Sequence, residues 1–369
     1  MTNKDNIRVI IAGGGTGGHI FPALAIGKAL QRLLPGTQLL FVGAKGKMEM
    51  EKIPQHGFKI IGLDIDGFKR GKLFENILLP LKLIKSRLQA DKIIKEFKPD
   101  AIVGVGGYAS FPVMAAGQNR KIPTLIQEQN SFAGKSNMIL GRKANIICVA
   151  YQKMNKFFPE AKIVYTGNPV RHEIANMACS KEDALNFFGL SNKKKTLLIV
   201  GGSLGAKSIN DAIYDVLKDI TNEGLQVIWQ TGKNYYEKAN QKALEISDCV
   251  KVETFIQKMD YAYTAADFIV SRAGALAIAE ICIAAKPVLF VPYPYAAEDH
   301  QTNNAMELVR LNAAMIVKDN DVKTELIKKI KLLIHDNKMQ EIMADNLKQL
   351  AVKDADEQIA KKIIEIAKV

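Results

Sequence analysis

The chain lacks several features that define common protein classes. Its four cysteines are scattered without C-x-x-C or zinc-ligand spacing, which predicts reduced interior thiols in a cytoplasmic protein and excludes a disulfide-built secreted fold. No run of about 18 uncharged apolar residues occurs, so we expect no membrane-spanning helix. The first residues lead directly into an apolar strand, and we therefore expect no signal peptide. The composition, 48% hydrophobic and 24% charged, is that of a folded globular protein.

Acidic residues are too few to balance the basic ones. The formal net charge of +13 attracts polyanions, and the two candidates are nucleic acid and an anionic membrane surface. Aromatic residues do not alternate with basic ones as they do in single-strand binders, and no nucleic-acid-binding motif occurs. We therefore expect an anionic membrane surface as a partner and no nucleic acid, with an ordinary soluble basic protein as the alternative.

Short apolar runs that end near glycine and precede helical periodicity recur along the chain. This alternation is typical of α/β units with a buried parallel sheet, and 369 residues are too many for one ordinary core. The predicted fold class is α/β, with two Rossmann-like, doubly wound domains facing each other across a cleft. The predicted strands are 8–12, 38–42, 60–63, 101–105, 124–127, 146–149 and 163–165, then 196–200, 226–230, 250–253, 268–270, 287–291 and 314–316.

The two halves of the chain also repeat a pattern. The stretches VIIAGGGTGGHIFPALAIGKAL and LLIVGGSLGAKSINDAIYDVL are each a strand, a glycine loop and an amphipathic helix. The segment TGNPVR, residues 166–171, is the predicted hinge, because its glycine and proline interrupt regular pairing. We predict an N-terminal domain at 1–167, a C-terminal domain at 168–350 and a last amphipathic helix at 351–369 that can return to the first domain.

The glycine loop GGGTGGHIFPA, residues 13–23, fits two readings. It matches the G-x-G-x-x-G pattern of dinucleotide-binding folds, but the second strand ends at Lys45 without the acid that would hold a ribose. A dinucleotide oxidoreductase is therefore disfavoured. The loop still offers backbone N–H groups and a helix N-terminus to an anion. His19 is either a base or a helix cap, and Thr16 contacts either a ligand or the loop.

Other polar loops follow predicted strands. Tyr108 in GVGGYASFP presents its hydroxyl to a sugar or packs structurally. Gln127 and Asn130 in QEQN are placed to bond sugar hydroxyls, and the alternative for Asn130 is a turn. The loop GGSLGA, residues 201–206, is the predicted diphosphate site, because Ser203 supplies a hydroxyl beside backbone N–H groups and a helix dipole.

Two later stretches complete the set of polar candidates. In SRAGALAIAE, Arg272 can offset phosphate charge, while Glu280 lies on an apolar helix where a carboxylate needs partners. Those partners are either the two hydroxyls of a ribose or a basic residue. In EDHQTNNA, Gln301 belongs to a sugar-binding segment or to a capped surface helix.

A possible metal motif and a basic, apolar segment remain. Asp64 and Asp66 in LDIDG have the spacing of metal-dependent nucleotide-sugar enzymes, but such carboxylates usually face solvent, and we predict no metal. Residues 68–88 combine apolar side chains with cations, which suits an anionic bilayer or a core helix with a basic face, although Pro80 argues against one smooth helix. The candidate membrane patch is Leu73, Phe74, Ile77, Leu78, Leu81 and Ile84.

Seven motifs in order, GGGTGGH, GVGGYASFP, QEQN, GNPVR, GGSLGA, RAGALAIAE and DHQTNNA, together resemble the MurG family over residues 8–350. The resemblance implies a GT-B fold and an inverting transfer of N-acetylglucosamine from UDP-N-acetylglucosamine. The implied acceptor is the muramyl C4 hydroxyl of undecaprenyl-linked lipid I, and the product is lipid II for peptidoglycan. The implied location is the cytoplasmic face of the bacterial inner membrane, and no cofactor or metal is implied.

The resemblance also implies roles for individual residues. His19 is the first choice as the base that accepts the acceptor's proton, while Ser203 and Arg272 offset the growing diphosphate charge. Ile256 offers backbone contacts to uracil. The implied substrate-binding residues are Thr16, Gly17, Gly18, Asn130, Arg171, Ser203, Ile256, Arg272, Ala275, Leu276, Ala277, Ile278, Ala279, Glu280 and Gln301, with Tyr108 and Gln127 as acceptor-side candidates.

Two positions depart from the family pattern. The family often has histidine where Gln127 stands, which weakens any acid–base role there, and glutamine where Leu204 stands, which puts one nucleotide contact in doubt. Three alternatives stay open at this point. They are another UDP-sugar-dependent glycolipid glycosyltransferase of the same fold, a dinucleotide oxidoreductase, and a non-catalytic membrane-binding protein.

Overall fold

A computed structural model of the chain describes residues 6–65 and 79–368, with side chains from residue 82 onward in the second range. The chain divides into two compact units, which are Met1–Arg171 with Asp354–Val369 (unit 1) and His172–Lys353 (unit 2). The predicted domain boundary after residue 167 lies inside a buried segment that ends unit 1.

Unit 1 is built on a sheet of seven parallel strands in the order β3-β2-β1-β4-β5-β6-β7. The strands are β1 Arg8–Ala12, β2 Gln38–Ala44, β3 Ile60–Leu63, β4 Ala101–Gly104, β5 Thr124–Glu128, β6 Ile146–Val149 and β7 Ile163–Tyr165. The helices between them are α1 Gly17–Leu33, α2 Glu49–Gln55, α3 Leu79–Phe97, α4 Ser110–Asn119 and α5 Lys135–Gly141. The strand order reverses between β1 and β4, which is where ligands of doubly wound sheets bind.

Unit 2 repeats this architecture with six parallel strands in the order β10-β9-β8-β11-β12-β13. Its helices are α6 His172–Ala175, α7 Lys181–Phe187, α8 Lys207–Asn222, α9 Tyr236–Ile246, α10 Met259–Ala265, α11 Ala275–Ala284, α12 His300–Arg310, α13 Val322–His335 and α14 Asn337–Leu350. Its strands are β8 Thr196–Val200, β9 Gln226–Gln230, β10 Val250–Glu253, β11 Phe268–Ser271, β12 Val288–Phe290 and β13 Met315–Ile316. Here the strand order reverses between β8 and β11.

The central strands read as continuous apolar runs because helices cover both faces of each sheet. In β1 the fully buried Ile10 packs with Val42 on one face, whereas its neighbour Ile11 packs with Phe41 on the other. Successive strand side chains point to opposite faces, so a strand that is buried on both sides needs an apolar residue at every position.

The last helix, α15 (Ala355–Ala367), belongs to unit 1 although it follows unit 2 in the chain. Ile359 and Ile363 are buried in the same cluster as Ile26 and Leu30 of α1. Arg32 of α1 also pairs with Asp356 of α15 at 3.3 Å. The chain therefore returns to complete the core of its first unit.

The predicted membrane segment is only partly described. Pro80 is the second residue of the described part of α3, and the residues just before Leu79 lie outside the described ranges. No helix within the described ranges is long and apolar enough to cross a membrane. The residues that lie outside the described ranges include Asp66, Leu73, Phe74, Ile77 and Leu78, and the side chain of Leu81 is not described.

Candidate functional site

Two glycine loops meet at the strand-order reversal of unit 1. They follow β1 and β4, which are hydrogen-bonded neighbours, so both loops leave the same edge of the sheet. The Gly14 N–H donates to the Gly106 carbonyl oxygen at 3.3 Å. A Cβ on Gly107 would overlap the Gly14 carbonyl oxygen, and Gly107 has a φ of +85°. Glycine is therefore required at this position for the two loops to touch.

A buried carboxylate occupies the anion position of the first loop. Glu49 of α2 is 1% exposed and accepts hydrogen bonds from the Gly15 N–H at 2.8 Å and the Ala44 N–H at 2.9 Å. Its side chain fills the space that a Cβ on Gly14 or Gly43 would need. In a dinucleotide fold these loop N–H groups bind the pyrophosphate, whereas here the chain's own carboxylate takes one of them. No local pattern in the sequence marked Glu49.

His19 lies in the first turn of α1, between the two loops. Its Nδ1 is 3.0 Å from the Gly14 carbonyl oxygen and 3.3 Å from the Thr16 hydroxyl. A carbonyl oxygen only accepts, so Nδ1 carries the hydrogen and Nε2 is the nitrogen that accepts a proton in the neutral ring. The ring packs on Gly106, where a Cβ would lie 2.8 Å from Nε2. This tautomer is the one that a base at Nε2 requires, although the catalytic role itself stays a prediction.

A second buried carboxylate orients Asn130. Glu128, the last residue of β5, is 2% exposed and accepts hydrogen bonds from the Asn130 N–H at 3.1 Å and the Asn130 side-chain amide at 3.3 Å. The Gly134 N–H and the Asn137 amide donate to its other oxygen. Asn130 is therefore held in a turn at the strand end and remains half-buried, so the turn role and a ligand role are compatible.

Gln127 does not have the position that we predicted for it. Its side chain is 0% exposed, and its amide donates to Asn168 Oδ1 at 3.0 Å. Asn168 in turn donates to the Gln129 carbonyl oxygen, and the Gln129 amide donates to that of Val105. The predicted contact between Gln127 and an acceptor sugar is not supported, because the side chain lies in the interior and ties the predicted hinge to β5.

The other unit 1 candidates lie at the surface. Tyr108 is 47% exposed, and its ring borders Gly15 of the first loop. Thr16 and Gly18 are exposed and Gly17 is half-buried, all at the start of α1. Arg171 is half-buried and is the last residue of unit 1. Their substrate contacts stay predictions.

In unit 2 the loop 201–206 follows β8 at the corresponding reversal of strand order. Gly202 and Gly205 have φ angles of +94° and +78°, which glycine adopts without strain. A Cβ on Gly205 would overlap the Thr231 carbonyl oxygen, so the loop lies directly against the end of β9. Ser203 is exposed just before α8 and is accessible to an anionic ligand.

Ile256, which is predicted to contact uracil through its backbone, is buried, and its backbone N–H already has a partner within unit 2. The side chain is 3% exposed, and the backbone N–H donates to Gln230 Oε1 at 2.8 Å. The Gln230 amide nitrogen donates to the Gly202 carbonyl oxygen at 2.9 Å. The carbonyl oxygen of Ile256 is therefore the backbone group through which it can accept a hydrogen bond from a base.

The start of α11 forms the second loop at this edge of the unit 2 sheet. Gly274 is the N-cap, and α11 presents the N–H groups of residues 275–277 and the positive end of its dipole. The Ile278 N–H donates to the Gly274 carbonyl oxygen at 2.9 Å, and the Ile278 side chain is 4% exposed. The Ile278 side chain therefore lies in the interior, Ala279 is half-buried, and the ligand contacts of both residues stay predictions.

Glu280 has a polar partner inside this apolar helix. Glu280 is 8% exposed, and its Oε2 accepts a hydrogen bond from the Tyr263 hydroxyl at 3.2 Å. The sequence required such a partner, because a buried carboxylate without donors is costly. Hydrogen bonds from a ribose stay a prediction.

Arg272 is bound within unit 2. Its Nη1 donates to Asp319 Oδ1 at 2.6 Å and to two backbone carbonyl oxygens, and Nη2 donates to the Ser208 hydroxyl at 2.9 Å. The residue is 9% exposed, and its charge is paired with that of Asp319. The predicted phosphate role is untested, and Asp319 reduces the positive charge that Arg272 would bring to it.

Gln301 lies in the first turn of α12. Its Oε1 accepts a hydrogen bond from the Tyr293 N–H at 2.9 Å, so its amide nitrogen is the group suited to donate to a sugar hydroxyl. Tyr293 and Tyr295 form an exposed pair of rings 5.6 Å apart in the preceding loop. Glu298 and Asp299 connect this loop to α12 with left-handed backbone angles.

The aspartate of the LDIDG motif is paired with cations. Asp64 lies 2.7 Å from Lys45 and 2.9 Å from Lys85, and the hydrogen bonds from Lys45 and Lys85 hold the pKa of its carboxyl well below the usual range. Among residues 6–65 and 79–368, no group of three or more histidine, cysteine, aspartate or glutamate side chains could hold a metal ion.

Comparisons with known proteins agree with this architecture. Residues 9–149 match the glycosyltransferase family 28 N-terminal domain, and residues 196–359 match the family 28 C-terminal domain. A UDP-N-acetylglucosamine--N-acetylmuramyl-(pentapeptide) pyrophosphoryl-undecaprenol N-acetylglucosamine transferase of Parabacteroides distasonis is 48% identical over 97% of this chain and 98% of its own length. The transferase of the same name from Cytophaga hutchinsonii is also 48% identical, over 99% and 98%.

Solved structures give the same result for the fold. The crystal structure of Acinetobacter baumannii MurG superimposes with a TM-score of 0.80 and 31% identity, and the match covers 97% of this chain and 99% of that one. A UDP-GlcNAc 2-epimerase from Neisseria meningitidis, at 15% identity and a TM-score of 0.69 over 97% and 100%, shares the fold alone. The predicted fold class and family resemblance are confirmed. This chain is a glycosyltransferase with the GT-B fold, and it belongs to family 28 and to the MurG family within it.

Proposed function

We propose that this chain moves N-acetylglucosamine from UDP-N-acetylglucosamine to the muramyl C4 hydroxyl of lipid I and so produces lipid II for peptidoglycan. The observation that carries the proposal is the 48% identity, over nearly the whole chain, to transferases that bear the corresponding name. Another UDP-sugar-dependent glycolipid glycosyltransferase of the same fold is not favoured, because the agreement extends through both units.

Unit 2 carries the groups suited to the donor. Ser203 is exposed in the loop 201–206 that precedes α8, and α11 adds its N-terminal N–H groups. A diphosphate can therefore meet two helix N-termini at one edge of the sheet. Glu280, in the second turn of α11, is suited to accept hydrogen bonds from ribose hydroxyls.

The reaction is an inverting displacement. The C4 hydroxyl oxygen forms a bond to the anomeric carbon while the bond from that carbon to the diphosphate oxygen breaks, and UDP leaves with the electron pair. His19 Nε2 accepts the hydroxyl proton, since its Nδ1–H is held by the Gly14 carbonyl oxygen. Donor-side N–H groups offset the charge that develops on the leaving diphosphate.

A transfer assay tests this function. Radiolabelled UDP-N-acetylglucosamine is incubated with lipid I in detergent, alone and with unlabelled competing UDP-sugars. We expect label in the lipid fraction that depends on lipid I and that only unlabelled UDP-N-acetylglucosamine suppresses. Preferential suppression by a different UDP-sugar would favour the alternative glycolipid transferase. No incorporation, together with no thermal shift on adding the donor, would leave a non-catalytic protein.

Peripheral association with an anionic membrane is the second part of the proposal. The net charge of +13 favours such a surface. On α3, Ile84 and Leu88 are 60% and 66% exposed and lie four residues apart on one helix face, with Lys85 exposed beside them. Exposed apolar side chains next to cations suit the interface of an anionic bilayer.

Vesicle sedimentation tests the association. Ile84→Asp combined with Leu88→Asp should lower binding to vesicles that contain phosphatidylglycerol severalfold, while transfer to a short-chain soluble acceptor is retained. Leu244→Asp in unit 2 is the matched control, because Leu244 is a leucine at 74% exposure on another helix. Equal vesicle binding by all three proteins would remove α3 from the membrane contact.

A further inference from the structure

One buried side chain in unit 2 connects two loops that are predicted to bind different parts of the donor. They are the diphosphate loop, residues 201–206, and the uracil segment, residues 254–257, in which Ile256 is predicted to contact the base. Gln230 is the last residue of β9 and is 3% exposed. Its Nε2 donates to the Gly202 carbonyl oxygen in the predicted diphosphate loop at 2.9 Å, and its Oε1 accepts the Ile256 N–H in the predicted uracil segment at 2.8 Å. Both hydrogen-bonding ends of one amide are therefore used between these loops.

The surroundings leave Gln230 little freedom to move. The next two residues of its chain, Thr231 and Gly232, donate backbone hydrogen bonds to the carbonyl oxygens of Glu253 and Thr254 at 2.9 and 3.2 Å. The Asn210 amide in α8 donates to the Thr231 carbonyl oxygen at 2.8 Å. The end of β9 is thus fixed to β10 and α8, and the amide extends from a rigid base.

We propose that Gln230 is a positioning residue that sets the distance between the diphosphate loop and the uracil segment, so that both match one UDP. This inference rests on the proposed donor. A nucleoside diphosphate spans both loops, and only their correct separation lets the base and the phosphates bind together. Without the Gln230 amide each loop moves separately. Binding of the donor then includes the free-energy cost of ordering both loops, which weakens its affinity.

The amide also affects which base contact is available. Since Gln230 Oε1 takes the Ile256 N–H, the base is read by the Ile256 carbonyl oxygen, which accepts from a ring N–H. Uracil has such an N–H at N3, whereas the N3 of cytosine is an acceptor.

Steady-state kinetics on the full chain test the proposal. Gln230→Leu removes both hydrogen bonds and should raise the KM for UDP-N-acetylglucosamine about tenfold. We expect the KM for lipid I to stay within about twofold, because neither loop is assigned to the acceptor. UDP, as an inhibitor competing with the donor, should weaken by the same factor as the KM rises.

The control lies at the other end of the same strand. Gln226 is also buried, at 1% exposed, and its amide joins Ser191 to Thr196 at the opposite edge of the sheet. Gln226→Leu removes a comparable set of interior hydrogen bonds and should leave the donor KM near the wild-type value. If both variants change donor and acceptor KM alike, or if neither changes the donor KM, Gln230 has no positioning role.

Hydrogen exchange separates the inference from the proposed function. Without ligand, Gln230→Leu should speed exchange in both 202–206 and 254–257, whereas Gln230→Glu, which keeps the acceptor for Ile256 but loses the donor to Gly202, should speed only 202–206. Unchanged exchange in both variants would overturn the proposal that Gln230 holds the two loops together, whether or not the enzyme transfers sugar. Absence of transfer by the wild type, with these exchange changes present, would instead refute the proposed function.

Discussion

Buried carboxylates shape the polar edges of both sheets. Glu49 and Glu128 in unit 1 and Glu280 in unit 2 are 1%, 2% and 8% exposed, and each accepts hydrogen bonds from its own chain. Removing a carboxylate from water is expensive unless donors replace the water. Each of these residues is therefore tied to the loop or helix that it contacts, and its substitution affects that element first.

Glu49→Gln tests whether the hydrogen bonds accepted by Glu49 stabilise the first glycine loop. The amide keeps one acceptor oxygen but turns an NH₂ group toward the Gly15 or Ala44 N–H, so one buried donor loses its partner. We expect unit 1 to lose about 1–3 kcal/mol of stability and turnover to fall, while UDP affinity is unchanged. Urea unfolding and calorimetry with UDP measure the two effects. Glu51→Gln on the same helix is the control, since Glu51 is exposed and its carboxylate accepts a hydrogen bond from the Gln55 amide one turn away.

His19→Ala tests the base. Losing a positioned general base lowers kcat by roughly 10²–10⁴. The affinity for UDP should stay near the wild-type value, because none of the predicted nucleotide contacts is made by the His19 side chain. Single-turnover kinetics with lipid I and calorimetry with UDP separate the two quantities. Wild-type turnover in this variant would return His19 to the alternative role of ordering the start of α1.

At the scale of elements, the sequence predicts the strands but not the side-chain hydrogen bonds between residues that are distant along the chain. A strand buried on both faces must be an unbroken apolar run, so β1 and β8 were predicted with their observed bounds, Arg8–Ala12 and Thr196–Val200. Glu49 accepts a hydrogen bond from Gly15, which is 34 residues away along the chain. Gln230 contacts Gly202 and Ile256, which are 28 and 26 residues away. No local period reports such contacts, because only the folded topology brings these residues together.

Two of the predicted site residues have buried side chains. Gln127 and Ile278 were selected by their place in motifs, yet the structure puts both side chains in the interior, at 0% and 4% exposed. A motif shows that a position matters but not whether its side chain faces a ligand or supports a neighbour that does. Their neighbours Asn130 and Ala277, by contrast, are half-buried at strand or helix ends.

The helix α15 gives a prediction about stability. Ile363 is 0% exposed in the core shared with α1, so Ile363→Ala should destabilise unit 1 by about 2–5 kcal/mol through lost burial and a cavity. Lys361→Ala on the exposed face of the same helix is the control. Hydrogen exchange in peptides of α1 is the suitable measurement, because a chain of two units need not unfold in one step. Equal exchange in both variants would show that α15 adds little to this core.

At the scale of the whole molecule, one architecture is used twice with different chemistry. Both sheets reverse strand order between two strands that end in glycine-containing loops, β1 and β4 in unit 1 and β8 and β11 in unit 2. In unit 1 Glu49 takes a loop N–H and His19 lies between the loops, whereas in unit 2 the loop carries the exposed Ser203. The Glu49 carboxylate disfavours an anionic ligand at the first loop of unit 1.

This asymmetry predicts where UDP protects the full chain. Adding UDP should slow hydrogen exchange in 202–206, 254–257 and 275–280 of unit 2 while leaving 13–18 and 105–109 of unit 1 nearly unchanged. Glu280→Gln should reduce that protection, because a neutral amide accepts ribose hydroxyls more weakly than an ionised carboxylate. Protection concentrated in the unit 1 loops would reverse the assignment of donor and acceptor sides. Undiminished protection in Glu280→Gln would remove Glu280 from the ribose contact while leaving unit 2 as the donor side.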